Sequence, residues 1–253
     1  MIQLRVRPFL LPKEGSTAAE CEDAIGRNSR TMRFAVNDGA TEAFDSRRWA
    51  RYLTSAWVRT GRADCSADLL VQATARLGER FNRRIALKPL PWYAAEKAAS
   101  GSFAAFVGVQ IAADGAWTAV AVGDCCLFHE RGAELLTAFP LADSESFNSR
   151  PTLVPSLPRA LEQAVGSLKT RNGHLNTGDR IWLMSDALAC WYLANRYGES
   201  RANSANPLAS AILAGDAEIT ALVQREREAR RLRNDDVALL YLEVIASLDG
   251  AEQ

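Results

Sequence analysis

Thr31-Met32-Arg33-Phe34-Ala35-Val36-Asn37-Asp38-Gly39 (TMRFAVNDG) is an apolar run that leads straight into an acid and a glycine. The pattern predicts a buried strand over Thr31 to Asn37, closed at Asp38-Gly39. A carboxylate at the end of a buried strand is costly unless it is paired, hydrogen-bonded or bound to a metal. One such acid is ordinary, but this chain repeats the arrangement. Glu22-Asp23, Ser185-Asp186 after the run RIWLMS (residues 180–185), and Asn234-Asp235-Asp236 ahead of the strand Val237 to Ile245 all set acids against apolar residues. Taken singly, these pieces read as a turn, a helix N-cap or a solvated loop. Together they predict a metal centre assembled from strand ends.

Outward from these signatures, Ile2 to Leu11 alternates partly apolar and polar and predicts an opening strand closed by Pro12 and Gly15. Helical spacing predicts helices over Ser46 to Thr60, ended by Gly61, and over Ala63 to Ile85. From Ser102 to Phe128 the pattern becomes sheet, with Asp114-Gly115 as a hairpin signal between FAAFVGVQIA and WTAVAVG. Ala142 to Pro158, with three prolines, reads as a loop suited to a flap. Helices are predicted again at Asp186 to Tyr197, Asn206 to Leu213 and Glu218 to Leu232. The basic run QREREARRLR (residues 224–233) reads as a solvated helix face laced with Glu–Arg pairs. Trp49, Trp57, Trp182 and Trp191 sit in apolar patterns and are expected in the core, whereas His129 and His174 are expected at the surface. Strands and helices come in blocks rather than strict βαβ alternation. That order predicts an α+β fold of mainly antiparallel sheets, in one domain spanning residues 1–253.

The totals narrow the function. Thirty Lys and Arg balance thirty Asp and Glu in 253 residues, which disfavours nucleic-acid and anionic-membrane partners. Each apolar run is interrupted by charge or glycine before it could span a bilayer, and the N-terminus lacks the order of a signal peptide, so a cytoplasmic protein is expected. The five cysteines are odd in number and show no CxxC or Cys/His spacing, which predicts reduced core thiols.

Read in order, Glu22-Asp23-Ala24, Phe34-Ala35-Val36-Asn37-Asp38-Gly39, Gly101-Ser102, Ala121-Val122-Gly123-Asp124, Gly178-Asp179-Arg180, Ser185-Asp186-Ala187-Leu188 and Asp235-Asp236-Val237 resemble the PP2C family of metal-dependent serine/threonine protein phosphatases. The resemblance runs from residue 22 to about residue 244 and is to the stand-alone bacterial type. It implies a four-layer αββα sandwich, two mainly antiparallel sheets flanked by helices, with the acids converging at one edge. It also implies two divalent cations, Mn²⁺ or Mg²⁺, bridged by Asp38, with the Gly39 carbonyl helping to hold one of them. Asp186 and Asp235 would complete one shell, Glu22 or Asp23 would reach the other ion, and Asp124 would bind a weaker third. Hard ions of this kind favour carboxylate, carbonyl and water oxygens, which the motifs supply. The implied activity is hydrolysis of phosphoserine and phosphothreonine in proteins by a metal-bridging water or hydroxide. A phosphorylated protein substrate and a cognate serine/threonine kinase would be the partners.

The chain departs from the family pattern around the acids. Ala40-Thr41-Glu42 replaces a small Gly-rich or His-containing turn, Ala187 replaces a glycine, and Cys125-Cys126 replaces a serine and arginine. Thr17, Ala18, Ala19 and Glu20 stand where many members carry a phosphate-gripping arginine, leaving Lys13, Arg27 and Arg30 as nearby cations. Two other readings follow from these departures. One is a PP2C-like regulatory or phosphoprotein-binding module with weakened catalysis. The other is a two-metal hydrolase of a different phosphate ester.

Overall fold

Pairs of antiparallel strands create the framework, because every ladder among the described residues runs antiparallel. The computed structural model describes residues 2–60, 67–147, 150–196 and 207–247. In chain order the first elements are β1 (Ile2–Leu11), β2 (Ala24–Asn28), β3 (Arg33–Gly39), α1 (Ser46–Arg59), α2 (Ala67–Ala86) and α3 (Trp92–Ala99). Then come β4 (Phe103–Ile111), β5 (Ala116–Val122), β6 (Cys126–Arg131), β7 (Glu134–Phe139), β8 (Val154–Pro155), α4 (Leu161–Gly166) and β9 (Lys169–His174). The chain closes with β10 (Asp179–Met184), α5 (Asp186–Arg196), α6 (Pro207–Ala214), α7 (Asp216–Glu228) and β11 (Val237–Ser247).

One sheet has the order β1-β11-β10-β6-β7 and the other β2-β3-β4-β5-β9, with β8 added alongside β4. Side-chain alternation then decides the layers. On β3, Phe34 and Val36 enter the core between the sheets, while Ala35 faces the cluster with Trp49, Leu53 and Trp57 of α1. On β11, Ala238, Leu240 and Leu242 point between the sheets, while Leu239 and Tyr241 meet Trp191 of α5 and Leu222 of α7. Three apolar layers are thus stacked around two sheets. This is the αββα sandwich that the resemblance implied, and Trp49, Trp57, Trp182 and Trp191 are all buried in it as expected.

Element boundaries follow the sequence reading closely at β1, α1, β10 and α5. The Asp114-Gly115 hairpin is present, with Gly115 at φ 95°. Gly61, Ala63, Cys65, Tyr197 and Asn206 lie outside the described residues. Other parts differ. His129 is buried rather than at the surface: it lies on β6 in the middle of its sheet, where its Nε2 is 2.9 Å from Asp179 Oδ2. Asp179 is itself buried, and also accepts Nε and Nη2 of Arg131 at 2.8 and 2.9 Å. The two partners are fifty residues apart, so neither advertises the other locally. His174 is exposed as expected.

The run over 224–233 is not one helix. α7 stops at Glu228, and the chain reverses through Arg230 at φ 55°. Glu226 causes the break. Its backbone carbonyl accepts the N–H groups of Arg231 and Leu232, and its carboxylate accepts Arg231 Nε and Nη2 at 2.8 and 2.9 Å. The described residues of the stretch 142–158 include some regular structure: a short 3₁₀ turn at Ser144–Ser146, and β8, which pairs with the first residues of β4. Among the described residues no helix is long and apolar enough to cross a membrane.

Leu240 is fully buried between the sheets, so Leu240→Ala should cost about 2–5 kcal/mol in chemical denaturation. Ile245, on the same strand but 47% exposed, should lose well under about 1 kcal/mol on the same substitution. Equal losses at the two positions would contradict the layer assignment.

Candidate metal centre

Antiparallel pairing brings the acids together because neighbouring strands end and begin at the same edge. Ala24 pairs with Asn37, so one further rung along the ladder sets Asp23 beside Asp38. Met184 pairs with Cys126, and continuing that ladder past its end sets Asp186 beside Asp124. Ser185 stitches the adjacent strand: its N–H donates to the Ala238 carbonyl at 3.0 Å, and its Oγ accepts the Ala238 N–H at 2.9 Å. Two glycines make the approach possible. Gly123, at φ 96°, turns the chain out of β5 so that Asp124 can cross to the second sheet. A Cβ on Gly39 would lie 2.9 Å from both the Glu22 carbonyl oxygen and the Ser46 carbonyl carbon, so only glycine lets the end of β3 sit there.

The result is a cluster in which carboxylate oxygens of Asp38, Asp124 and Asp186 all lie within 4.8 Å of one another. A cation with metal–oxygen distances of about 2.0–2.6 Å bridges such a span. The donor set is wholly carboxylate, which suits Mg²⁺, Mn²⁺ or Ca²⁺ and not a thiophilic ion. Asp23 stands behind this group, 1% exposed, and neither of its carboxylate oxygens has a hydrogen bond of normal geometry. A buried acid this poorly satisfied calls for a cation or a proton.

Electrostatics say the same. Burial pushes Asp38 well above the usual carboxylate range, and Asp23, Asp186, Asp124 and Asp235 add repulsion in that order. Burial likewise raises Asp23, eased by the Ser185 hydroxyl and worsened by Asp236, Asp186 and Asp235. Asp124 is pushed up to about 7, first by burial and then by Asp186. Burial raises Asp186 as well, but Arg233 opposes it. Asp38 is therefore the hub on which the other acids converge.

The remaining expected ligands are placed differently. Asp235 is 34% exposed and lies outside the three-acid group; its Oδ2 is 3.0 Å from Arg233 Nη2, and its Oδ1 accepts the Asp236 N–H at 2.9 Å. Glu22 turns to Ser46, whose Oγ donates to Oε1 at 2.5 Å, and to Lys13 Nζ at 3.8 Å from Oε2. Of the two acids in that signature, Asp23 faces the cluster's field and Glu22 lines its rim. Glu42 is exposed and does not join the cluster.

Two residues carry roles that the sequence reading did not give them. Asp236, 4% exposed, accepts the N–H groups of Lys13 and Glu22 at 2.8 and 2.7 Å, tying the turn after β1 and the Glu22 backbone to the start of β11. Arg233 places Nη2 against Oδ2 of Asp186 as well as Asp235. The signal for Asp236 was an acid abutting the apolar start of a strand, Val237 to Leu240. The signal for Arg233 was its position directly before Asn234-Asp235-Asp236, masked by the helical reading of 224–233.

No protein-family model matches this sequence, and no curated protein does. Solved structures do match over the full length. The serine/threonine phosphatase PstP/Ppp of Mycobacterium tuberculosis superimposes with a TM-score of 0.63 at 14% identity, over 97% of this chain and 100% of that one. The catalytic domain of the phosphatase PstP in complex with two manganese ions gives 0.60 at 15% identity, over 97% and 100% of the two chains. The photosystem II phosphatase PBCP gives 0.63 at 16% identity, over 96% and 99%.

The acid cluster makes a thermodynamic prediction of its own. Asp124 rises from an ordinary 3.8 to about 7 in the folded state, so the folded form binds the proton more tightly. The contribution of Asp124 to stability is then fully present below pH ~4 and is lost as pH rises through ~7. In buffer free of divalent ions at pH 8, Asp124→Asn should raise the melting temperature by roughly 3–10 °C. A lower melting temperature would mean that a partner stabilises the ionised form.

Proposed function

We propose, on the premise that this chain has the fold of the PP2C-type serine/threonine phosphatases, that it is a metal-dependent phosphatase of phosphoserine and phosphothreonine in proteins. The observation that carries the reading is the convergence of Asp38, Asp124 and Asp186 within 4.8 Å, backed by the buried Asp23, whose carboxylate has no hydrogen bond of normal geometry. A protein gains nothing in stability from gathering desolvated carboxylates in this way. Two divalent cations, Mn²⁺ or Mg²⁺, would neutralise the cluster, acidify water and draw charge from the phosphoryl group.

The chain's own residues would divide that task. Asp38 would be shared between the ions, Asp186 and Asp235 would help hold one, and the Gly39 carbonyl with Asp23 or Glu22 would help hold the other. Asp124 would serve a weaker third. Gly39 is fixed between the Glu22 backbone and α1, so a carbonyl ligand there is held rigidly. The Ser46–Glu22 hydrogen bond restrains the rim in the same manner. A phosphorylated protein is the substrate class, a serine/threonine kinase the counterpart, and one domain over residues 1–253 the catalytic unit. The four cysteines among the described residues are unpaired, which suits a reducing cytoplasmic setting for a signalling enzyme.

The test is Mn²⁺-dependent turnover of a phosphothreonine peptide and of p-nitrophenyl phosphate, compared for wild type and Asp38→Ala. Peptide turnover should fall roughly 10²-fold or more in the variant, with Mn²⁺ binding weakened in calorimetry. Turnover indifferent to Asp38→Ala sinks the two-metal reading. Metal binding without turnover of either substrate identifies a regulatory module, and turnover of the aryl ester alone identifies a hydrolase of small phosphate esters.

A further inference from the structure

We propose that Arg233 is a phosphate-binding residue that this chain stores against its own metal-binding carboxylates. The proposal rests on the metal-dependent phosphatase reading and adds to it the group that grips the phosphate. The loop after α7 fixes the Arg233 backbone on both sides. Leu232 is buried at 3% exposure, Arg231 is clamped bidentately by Glu226, and Nη2 of Arg227 donates to the Asp235 carbonyl. The Arg233 side chain itself is 57% exposed at the mouth of the cluster. Its Nη2 lies against Oδ2 of Asp186 and 3.0 Å from Oδ2 of Asp235, while Nε and Nη1 make no hydrogen bond among the described residues.

Both bidentate edges of a guanidinium, Nε with Nη2 and Nη1 with Nη2, include the nitrogen that here faces Asp186 and Asp235, so the fork opens to a phosphate oxygen pair when Nη2 leaves the carboxylates. Of the other cations flanking the acids, Lys13 and Arg47 are engaged elsewhere, while Arg27 and Arg30 lie towards the far end of the β2–β3 hairpin. Lys13 is paired with Glu22, and Arg47 donates to the Ala18 and Ala19 carbonyls. Arg27 pairs with Phe34 on the sheet ladder, about 13 Å of strand away from Asp38. A divalent ion that takes Asp186 and Asp235 removes the partners of Nη2 and repels the guanidinium. A phosphate dianion arriving at the same edge then offers Arg233 a replacement. Metal and Arg233 therefore compete, whereas metal and phosphate cooperate through Arg233.

Calorimetric titration of MnCl₂ into metal-free wild type, Arg233→Gln, Arg233→Lys and Asp38→Asn separates the two roles. Titration of inorganic phosphate into each Mn²⁺-saturated protein completes the set. Arg233→Gln should bind Mn²⁺ about two- to tenfold more tightly than wild type. It should bind phosphate about tenfold or more weakly. Arg233→Lys should keep wild-type Mn²⁺ affinity while losing much of the phosphate affinity, because it retains the charge without the fork. Unchanged or weaker Mn²⁺ binding by Arg233→Gln overturns the competition, and unchanged phosphate binding overturns the phosphate role. If neither wild type nor Arg233→Gln binds Mn²⁺, the metal reading fails first and this proposal with it. If wild type binds and Asp38→Asn does not, the metal reading stands and the Arg233 results decide alone.

Discussion

Like charges taken out of water repel strongly, and the ends of five strands in this protein force that condition on four aspartates. Asp38, Asp124, Asp186 and Asp23 are brought to one edge by backbone ladders whose registers are set by the apolar layers, not by the acids. The sandwich supplies the favourable free energy and the edge consumes part of it. Everything peculiar about the region follows: the glycines that let backbones close in, the four carboxylates raised above their ordinary range, and an arginine laid across Asp186 and its neighbour Asp235. The fold is stable in spite of its edge, and the edge is useful because the fold holds it rigid.

Much of this architecture was legible in the sequence because it rests on periodicity. Phe34 and Val36 against Ala35, or Leu239 and Tyr241 against Leu240, alternate cleanly enough to mark both sheets. The parts that were not legible lack that contrast. β2 is five residues long and includes Gly26 and Arg27, so its place at the edge of the sheet comes only from pairing with β3. β9 reads KTRNGH and is almost wholly exposed, so it is a strand only because β5 offers it an edge. α3 buries no residue and leaves Trp92 80% exposed, so no apolar stripe announces it. His129 was misplaced because its partners Asp179 and Trp117 are distant in sequence.

The acids of the candidate site were legible for a different reason. A carboxylate beside an apolar run contradicts its surroundings, and such contradictions mark sites. What single positions could not disclose was the sorting among neighbours. Glu22 and Asp23 differ by one residue, yet one turns to Ser46 and the other is buried behind Asp38. Asp235 and Asp236 divide likewise, the first meeting Arg233 and the second holding two backbone N–H groups. Which member of each pair faces inward depends on where the strand begins, and strand boundaries are the least local property of a chain.

α5 gives the edge a reach beyond its own residues. The helix begins at Asp186, and one and a half turns later its Trp191 Nε1 donates to Glu226 at 3.0 Å. Glu226 grips Arg231, and two residues further on Arg233 returns to Asp186. Aspartate, helix, glutamate, loop and arginine thus form a closed mechanical ring, with the helical layer as one of its sides. A rotation of α5 within its packing would move the acid and its counter-charge in concert. The spacing of charges in the acid cluster is in that sense set through the helical layer, by the buried Trp191 and Glu226, which lie outside the cluster itself.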